Sequence, residues 1–317
     1  MTNQNFVSTK NKVCPLCGSF HLKPSLIDRP DHEYGVSSAL HYVTCQNMKC
    51  GFVYAVDIPL LGEIQGFYTK YSTHSIYHPS KMASVIRYGS LLANSRYLKS
   101  IFNGRDIGAL KVLDYGCGSG DFMSQLMQCG LIDVFGYDFD PEATRCARAL
   151  GMKVYAEEHE FLAEGAFDFI FLNHVIEHLI DPETTLTMLL GSLKKGGRLV
   201  LRTPNAKSFL AGFFGDNWRG WETPRHLHIF NTKTISKLVT KINAAELSIV
   251  NLTTSNAMFI GMFHESFHSG FWRNSFFGKV LRHAACFLIF PVGVILNCLR
   301  QDIGEEVVLV VERGKLV

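Results

Sequence analysis

The chain has 317 residues, 47% of them hydrophobic, and a formal net charge of +3. That length leaves room for about two domains and a sizeable core. The near-neutral balance argues against a general nucleic-acid binder, and no apolar run reaches the ~18–20 residues of a membrane-spanning helix. The first ten residues, M-T-N-Q-N-F-V-S-T-K, are polar with no secretory core. The nine cysteines are therefore read in a reduced, cytoplasmic setting, where paired cysteines more often bind metal than form disulfides.

Residues 1–70 are expected to form a small module. Cys14-Pro-Leu-Cys17-Gly18 is one tight turn, and Cys45 and Cys50, in C-Q-N-M-K-C-G, make a second. The glycine after each pair lets backbone N–H groups fold toward thiolate sulfurs. Four thiolates from two such turns suit tetrahedral zinc, and with every position filled by protein the metal is structural. Strand-like stretches at 39–44 and 52–56 complete the likeness to a zinc ribbon. His21, His32 and His41 are read as surface residues. Residues 71–105 link this module to the next. The aromatic run Phe67, Tyr68, Tyr71, His74, Tyr77 and His78 either covers a ligand site or packs the modules together. From 80 to 102, Met82, Val85, Ile86, Leu91, Leu92, Leu98 and Ile101 recur at helical spacing, with Asn103-Gly104 as the stop.

The next domain, 106–317, begins with K-V-L-D-Y-G-C-G-S-G-D at 111–121. A buried strand stops at Asp114 and turns through Gly116, Gly118 and Gly120, so a ligand can lie against bare backbone at a helix N-terminus. Asp121 stands where the dinucleotide fingerprint G-x-G-x-x-G has its third glycine, so the nicotinamide pattern is broken. A second strand, V-F-G-Y-D, ends in Asp138, well placed for two ribose hydroxyls, with Phe139 beside it for an adenine face. Pro141 opens the following helix, and 153–156 is a short third strand. The fourth strand, F-D-F-I-F-L-N, runs into His174-Val-Ile-Glu177-His178. Those five residues spell H-x-x-E-H, but they follow a strand directly instead of lying within a helix, so the peptidase reading of that motif is set aside. Lys194-Lys195-Gly196-Gly197 is expected to end a helix with a cationic turn and a glycine stop. A fifth strand, 198–202, comes next. Strands alternating with helices imply a parallel, doubly wound α/β sheet.

Five stretches together resemble the class I S-adenosylmethionine-dependent methyltransferases: D-Y-G-C-G-S-G-D, G-Y-D-F-D-P, F-D-F-I-F-L-N-H-V-I-E-H-L-I-D-P, L-K-K-G-G-R-L-V-L-R-T-P-N and P-R-H-L-H-I-F. They cover about 111–230. The resemblance implies a Rossmann-like seven-stranded sheet whose last strand, around 305–312, is antiparallel. It implies that Asp114, Tyr115, Gly116, Cys117 and Gly118 hold the methionine part of the cofactor. Asp138 would take the ribose, Phe139 would border the adenine, and Asn173 and His174 would line the crevice near the sulfonium. Glu157 and Glu158 are both candidates for the adenine amine. With the cysteine module, the chain is similar to bacterial enzymes that methylate sugars, cell-envelope or natural-product intermediates.

The acceptor side is expected within 205–300. Methyl transfer needs alignment, and a neutral acceptor also needs a base. His226 is the first candidate, with His178, Glu177 and His228 behind it. Phe259, Phe263, Phe267 and Phe271 recur every four residues, as on one helix face. The apolar stretch 284–299, broken by Pro291, is read as a substrate lid or as a segment dipping into a membrane interface. The acceptor is expected to be sugar-containing or lipid-linked. The alternatives are a quinone-type O-methyltransferase and a non-catalytic ligand-binding scaffold.

Overall fold

The computed structural model describes residues 13–26, 31, 40–56, 58, 64, 66–68, 98, 100–102, 104–243, 246–267 and 275–314. The aromatic positions Tyr71, His74, Tyr77 and His78, most of the helix expected over 80–102, and also His32 and Phe271, lie outside the described residues.

Two sheets organise the chain. The small sheet has the order β1 (Leu22–Leu26), β2 (Tyr42–Cys45), β3 (Val53–Ala55) and β9 (His228–Ile229), all antiparallel. Its last strand comes from far along the chain, in register Val53↔Ile229 and Tyr54↔His228.

The large sheet has seven strands. They are β4 (Lys111–Tyr115), β5 (Asp133–Tyr137), β6 (Lys153–Tyr155), β7 (Phe167–Asn173), β8 (Leu193–Pro204), β10 (Leu247–Ser255) and β11 (Glu306–Arg313). Their order is β10-β11-β8-β7-β4-β5-β6, so the strand order reverses beside β4. The pairs β4·β5, β4·β7 and β5·β6 are parallel. The final strand inserts between β10 and β8.

Contacts divide the chain into two compact units, one holding the described parts of Lys70–Asn173, Met188–Val200 and Glu312–Val317. Here β4 and β7 are the apolar centre: Val112, Leu113, Phe169, Ile170, Phe171 and Leu172 are all fully buried. Burying one such side chain is worth about 1.5–3 kcal/mol. The Asp168 carboxylate ties the ends of these strands, accepting from the Lys111 N–H at 2.9 Å and Lys194 Nζ at 2.7 Å. Helices α1 (Asp121–Gln128), α2 (Pro141–Ala149) and α3 (Glu158–Ala163) follow the first three strands of this sheet. Pro141 at the first helical position and Asp140, which accepts the Glu142 N–H at 2.8 Å, fix the start of α2.

The other unit holds the described parts of Met1–Thr69, His174–Thr187 and Leu201–Val311. It contains the small sheet and most of the polar residues discussed below. Helix α4 (Pro182–Gly191) starts at Pro182. The tetrad Lys194-Lys195-Gly196-Gly197 lies not in the last turn of a helix, as expected, but at the start of β8. Helix α4 has already closed, with the Ser192 N–H on the Met188 and Leu189 carbonyls. Gly196 has φ 75°, and a Cβ at Gly197 would come within 2.9 Å of the Phe167 carbonyl oxygen, so both glycines serve the strand.

Helices α5 (Phe209–Phe214) and α6 (Thr232–Asn243) follow, and α7 (Phe259–Glu265) carries the first two phenylalanines of the expected stripe, Phe259 and Phe263, both buried, but ends before Phe267. Helix α8 (Phe276–Arg300) corrects a second expectation. It runs unbroken through Pro291 for 25 residues, long and apolar enough to cross a membrane by length and composition. Proline removes one N–H donor, and the neighbouring turns carry the helix past it. The reading from sequence failed because it began the apolar stretch at 284 and broke it at Pro291, whereas the helix starts at Phe276.

Candidate functional site

Two polar clusters stand out, one in each unit. The first lies at the carboxyl ends of β4 and β5. Gly116, Gly118 and Gly120 all adopt left-handed φ values, 81°, 53° and 89°. L-residues with side chains rarely tolerate these, so the alternating glycines are required by the backbone path. The Gly116 and Cys117 N–H groups bond the Tyr137 carbonyl at 2.7 and 2.9 Å, which folds the loop onto β5. Gly136 lets this happen: a Cβ there would lie 2.7 Å from Cys117 Sγ.

Two carboxylates are buried at this loop, Asp114 and Asp138. Asp138 Oδ2 accepts the Gly118 N–H at 2.8 Å and its Oδ1 the Asp140 N–H at 2.9 Å. Burial pushes Asp114 up to about 7, the nearby Asp138 charge adds to this, and the Asn173 amide opposes it. Both polar atoms of the Asn173 side chain are out of solvent and lack a well-formed hydrogen bond. Two close buried acids beside an unsatisfied amide make a cradle for a ligand that brings positive charge and donors. The Cys117 thiol is pushed up by burial, with Asp114 and Asp138 adding to the shift, and stays neutral.

Around the loop, Tyr115 stacks on Tyr137 at 4.7 Å and donates to Glu158 Oε1 at 2.6 Å. Glu157 instead caps α3 in a reciprocal pair with Glu160. Phe139, next to Asp138, is 39% exposed.

The second cluster begins at His174. Its φ of 55° is left-handed, an uncommon setting for a side-chain-bearing residue directly after a strand. The imidazole lies 3.4 Å from Glu177 and 3.3 Å from Glu306. Burial alone would lower its pKa, but the two carboxylates outweigh burial and push it up to about 9. The same contacts, working against burial, bring Glu177 and Glu306 each down to about 2. Arg202 completes the group with a bidentate hold on Glu306. Thr203 donates to Glu177 Oε2 at 2.9 Å.

His178 and His226 stand edge to face, 4.6 Å apart. Burial lowers both, His178 to about 3 and His226 to about 4, so both are neutral at pH 7. His226 Nδ1 donates to the Gly220 carbonyl at 2.7 Å, and its Nε2 lies 3.2 Å from Glu222. Glu222 also pairs with Arg219 and Arg225. Arg225 is fully buried and bonds Asp31 with both terminal nitrogens, at 2.8 and 3.2 Å. Tyr42 donates to the His226 carbonyl at 2.6 Å. His228 stacks on Phe52 at 5.8 Å within the small sheet and has no place in this group. Sequence reasoning named Glu177, His178 and His226. It missed Thr203, Glu222, Arg225, Asp31, Arg202 and Glu306; for Arg202 and Glu306 the only signal was a charge at the edge of an apolar strand, and for Thr203 and Asp31 there was none.

The four cysteines also meet. Cys14 and Cys50 sulfurs are 3.8 Å apart, Cys17 and Cys45 sulfurs 3.5 Å, and all four lie within 4.8 Å of one another. Burial pushes the Cys14 thiol up, and Cys50 up to about 11. Cys17 goes down: burial opposes this, but the Ser19 N–H and the neighbouring thiols prevail.

Comparison with known proteins adds the family. Residues 86–248 match the family model described as "Methyltransferase domain". The ribosomal protein L11 methyltransferase of Burkholderia orbicola is 37% identical over 94 residues, which is 28% of this chain and 30% of that protein. The ubiquinone biosynthesis O-methyltransferase of Bordetella avium is 29% identical over 131 residues, 38% of this chain and 54% of that protein. The chain thus spans about a third to a half of the length of these curated relatives. Among solved structures, the plantazolicin methyltransferase BamL in complex with a triazolic analogue and SAH is 18% identical, with a TM-score of 0.48 over 80% of this chain and 95% of that one. The magnesium protoporphyrin IX methyltransferase of Synechocystis PCC 6803 with bound SAM is 13% identical, with a TM-score of 0.45 over 80% and 96%. With the family model matching half of its length across the glycine loop and the strands around it, the chain belongs to the methyltransferase domain family.

Proposed function

We propose that the chain transfers a methyl group from S-adenosylmethionine to a small-molecule acceptor. The observation that carries this is the buried pair Asp114 and Asp138 around a glycine loop that supplies no lysine or arginine. Such a loop is unsuited to phosphates and suited to a ligand with an ammonium and a sulfonium. Asp138 takes the two ribose hydroxyls. Asp114 and the Asn173 amide face the cationic methionine part. Phe139 borders the adenine, and Glu158, held by Tyr115, is a better partner for the adenine amine than Glu157, which is committed to its helix.

In the reaction, the acceptor's nucleophile attacks the methyl carbon while the carbon–sulfur bond breaks. The sulfonium leaves as a neutral thioether, and the acceptor gives up a proton. His226, with His178 and Glu177, is our choice for receiving it. Burial keeps both imidazoles neutral, and a neutral imidazole carries one nitrogen lone pair that can accept a proton.

The acceptor we favour carries an apolar tail, as a lipid-linked sugar or a quinone-type ring does. Helix α8 supports this: only 11% of its most apolar window is buried, and Phe287 and Leu288 are 83% and 73% exposed. A face of that kind suits contact with a membrane surface from the cytoplasm. The four cysteines, at spacings close to the about 3.8 Å between sulfurs of a tetrahedral thiolate site, hold a structural zinc ion.

Isothermal titration of the full, metal-replete chain with S-adenosylmethionine tests the central reading. Saturable one-to-one binding is expected, while a folded chain that binds neither the donor nor its demethylated product would leave only a scaffold with this fold.

A further inference from the structure

Glu177, His178 and His226 bring two imidazoles and a carboxylate to one place. The tautomers follow from the hydrogen bonds. A carbonyl oxygen only accepts, so a proton on His226 Nδ1 serves the Gly220 carbonyl at 2.7 Å, the shorter of that ring's two polar contacts, the other being Nε2 to Glu222 at 3.2 Å. His178 Nδ1 lies 3.1 Å from the Arg225 carbonyl, which calls for a proton there, and 2.9 Å from the Tyr68 hydroxyl, which can accept or donate. With both protons on Nδ1, each neutral ring has its lone pair on Nε2. Glu177 Oε2 is taken by the Thr203 hydroxyl at 2.9 Å. Glu177 Oε1 is buried and has no well-formed hydrogen bond, with His226 Nε2 at 4.0 Å and His174 Nδ1 at 3.4 Å.

One ligand atom from each of the three residues lies within 4.8 Å of the others. Metal–ligand bonds of about 2.0–2.2 Å put tetrahedral neighbours roughly 3.3–3.5 Å apart, so side-chain shifts of about an ångström would close the site. Two imidazoles and one carboxylate are a donor set that borderline divalent cations take, with one position left open. The surroundings also have the character of a metal site. Both rings are oriented by backbone carbonyls through Nδ1, and the carboxylate is held by a hydroxyl, which are the outer contacts that fix such ligands.

We propose that Glu177, His178 and His226 bind a divalent cation of the zinc or ferrous type, at a site chemically distinct from the four cysteines. This is not the H-x-x-E-H arrangement of the peptidases, because His174 is occupied by Glu177 and Glu306 and the third ligand comes from 48 positions beyond His178. The proposal rests on this geometry and not on methyl transfer. If both hold, the cation takes the lone pairs that proton acceptance would use, and an acceptor oxygen at the open position is acidified by the metal's charge instead.

The competing arrangement is a proton on His226 Nε2 shared with Glu222, 3.2 Å away. The test uses the full chain, stripped with a chelator and loaded anaerobically with Co2+, then freed of excess metal. Two equivalents per chain are expected. One gives intense thiolate-to-cobalt charge transfer from the cysteines; the other gives only weak d–d bands. Proton NMR of the loaded chain should show two solvent-exchangeable, paramagnetically shifted Nδ1–H signals, which four cysteines cannot produce. In Glu177→Gln and in His226→Gln the count should fall from two to one with the thiolate bands intact, which also reports that the chain is folded. One equivalent in the unaltered chain, or no shifted exchangeable signals, overturns the proposal without recourse to a variant. So does a second equivalent that survives both substitutions.

Discussion

The two polar clusters manage buried charge in opposite ways. At the glycine loop, Asp114 and Asp138 are two acids buried close together, and burial drives Asp114 toward its neutral form. Around His226, the buried acids Asp31, Glu177, Glu222 and Glu306 face Arg202, Arg219, Arg225 and the charged His174. Under the proposed function, the first cluster is completed by the cationic methyl donor. The second is nearly balanced by its own chain, and only a small group of lone pairs is left over. An open ligand site can thus be encoded in a short stretch, whereas a self-balanced network needs partners from distant segments.

The sharpest break in this comparison is at the four cysteines, which share a unit with the balanced cluster. If the four cysteines hold zinc as proposed, Cys17→Ser, or removal of the metal by a strong chelator, should cost several kcal/mol, since a structural zinc site contributes its binding energy to folding. Amide exchange across 42–55 should rise to unprotected rates. Protection that persists after verified metal loss would show that hydrophobic contacts alone hold the small sheet.

Next in size is Arg225→Met. It leaves Asp31 and Glu222 buried without their shared partner, and breaking such a pair costs about 3–5 kcal/mol. Urea unfolding should show that loss. A change below about 1 kcal/mol would mean that the ions are compensated by other groups.

The glycine-loop cluster responds to ligand and pH instead. Asp138→Ala should weaken S-adenosylmethionine binding about 10- to 100-fold, the value of a charged hydrogen-bond acceptor; equal affinity in titration would end its assignment to the ribose. For Asp114 the folded pKa, about 7, lies above its ordinary value of 3.8. Its neutral form is the one that the fold favours, so its contribution is intact below about pH 4 and is lost as pH rises toward 7. Asp114→Asn should therefore stabilise the ligand-free chain, increasingly from pH 4 to 7 and by no more than about 4 kcal/mol. Binding of the cationic donor should fall in the same variant. Thermal unfolding across that pH range decides it, and a pH-independent difference would refute the coupling.

The smallest effect on stability belongs to α8. Leu288→Glu lies on its exposed face and should change stability by under about 0.5 kcal/mol. It should still abolish flotation of the chain with anionic vesicles, and unchanged flotation would remove the membrane reading.

The same contrast explains what was legible in the sequence. The loop Gly116–Gly118–Gly120 could be read because each glycine answers a local backbone need, and the strands beside it are continuous apolar runs. Asp114, Asp138 and Asn173 are the ends of those strands, so their placement followed from the alternation of elements. Lys194 to Gly197 misled because a cationic helix end with a glycine stop and a strand start with tight glycines are spelled alike. Pro291 misled because its cost to a helix is local and its neighbours can carry the turn. Arg225 and Asp31 lie 194 positions apart, and no local pattern links them. Glu177, His178 and His226 were each visible as candidate bases, but their hydrogen bonds to Thr203 and to backbone carbonyls belong to the tertiary structure alone.

The pairing of β3 with β9 has a consequence for biosynthesis. Strands β1 to β3 leave the ribosome well before their partner and cannot complete their sheet until residues 228 and 229 have followed. At about 5–20 residues per second, the roughly 170 residues between them take on the order of ten to thirty seconds to make. Throughout that time the outer edge of β3 presents unpaired N–H and C=O groups to any passing strand. Early metal capture by the cysteine turns would keep β2 and β3 compact during this interval, so zinc supply would bear on the yield of intact chains as much as on the stability of the finished one.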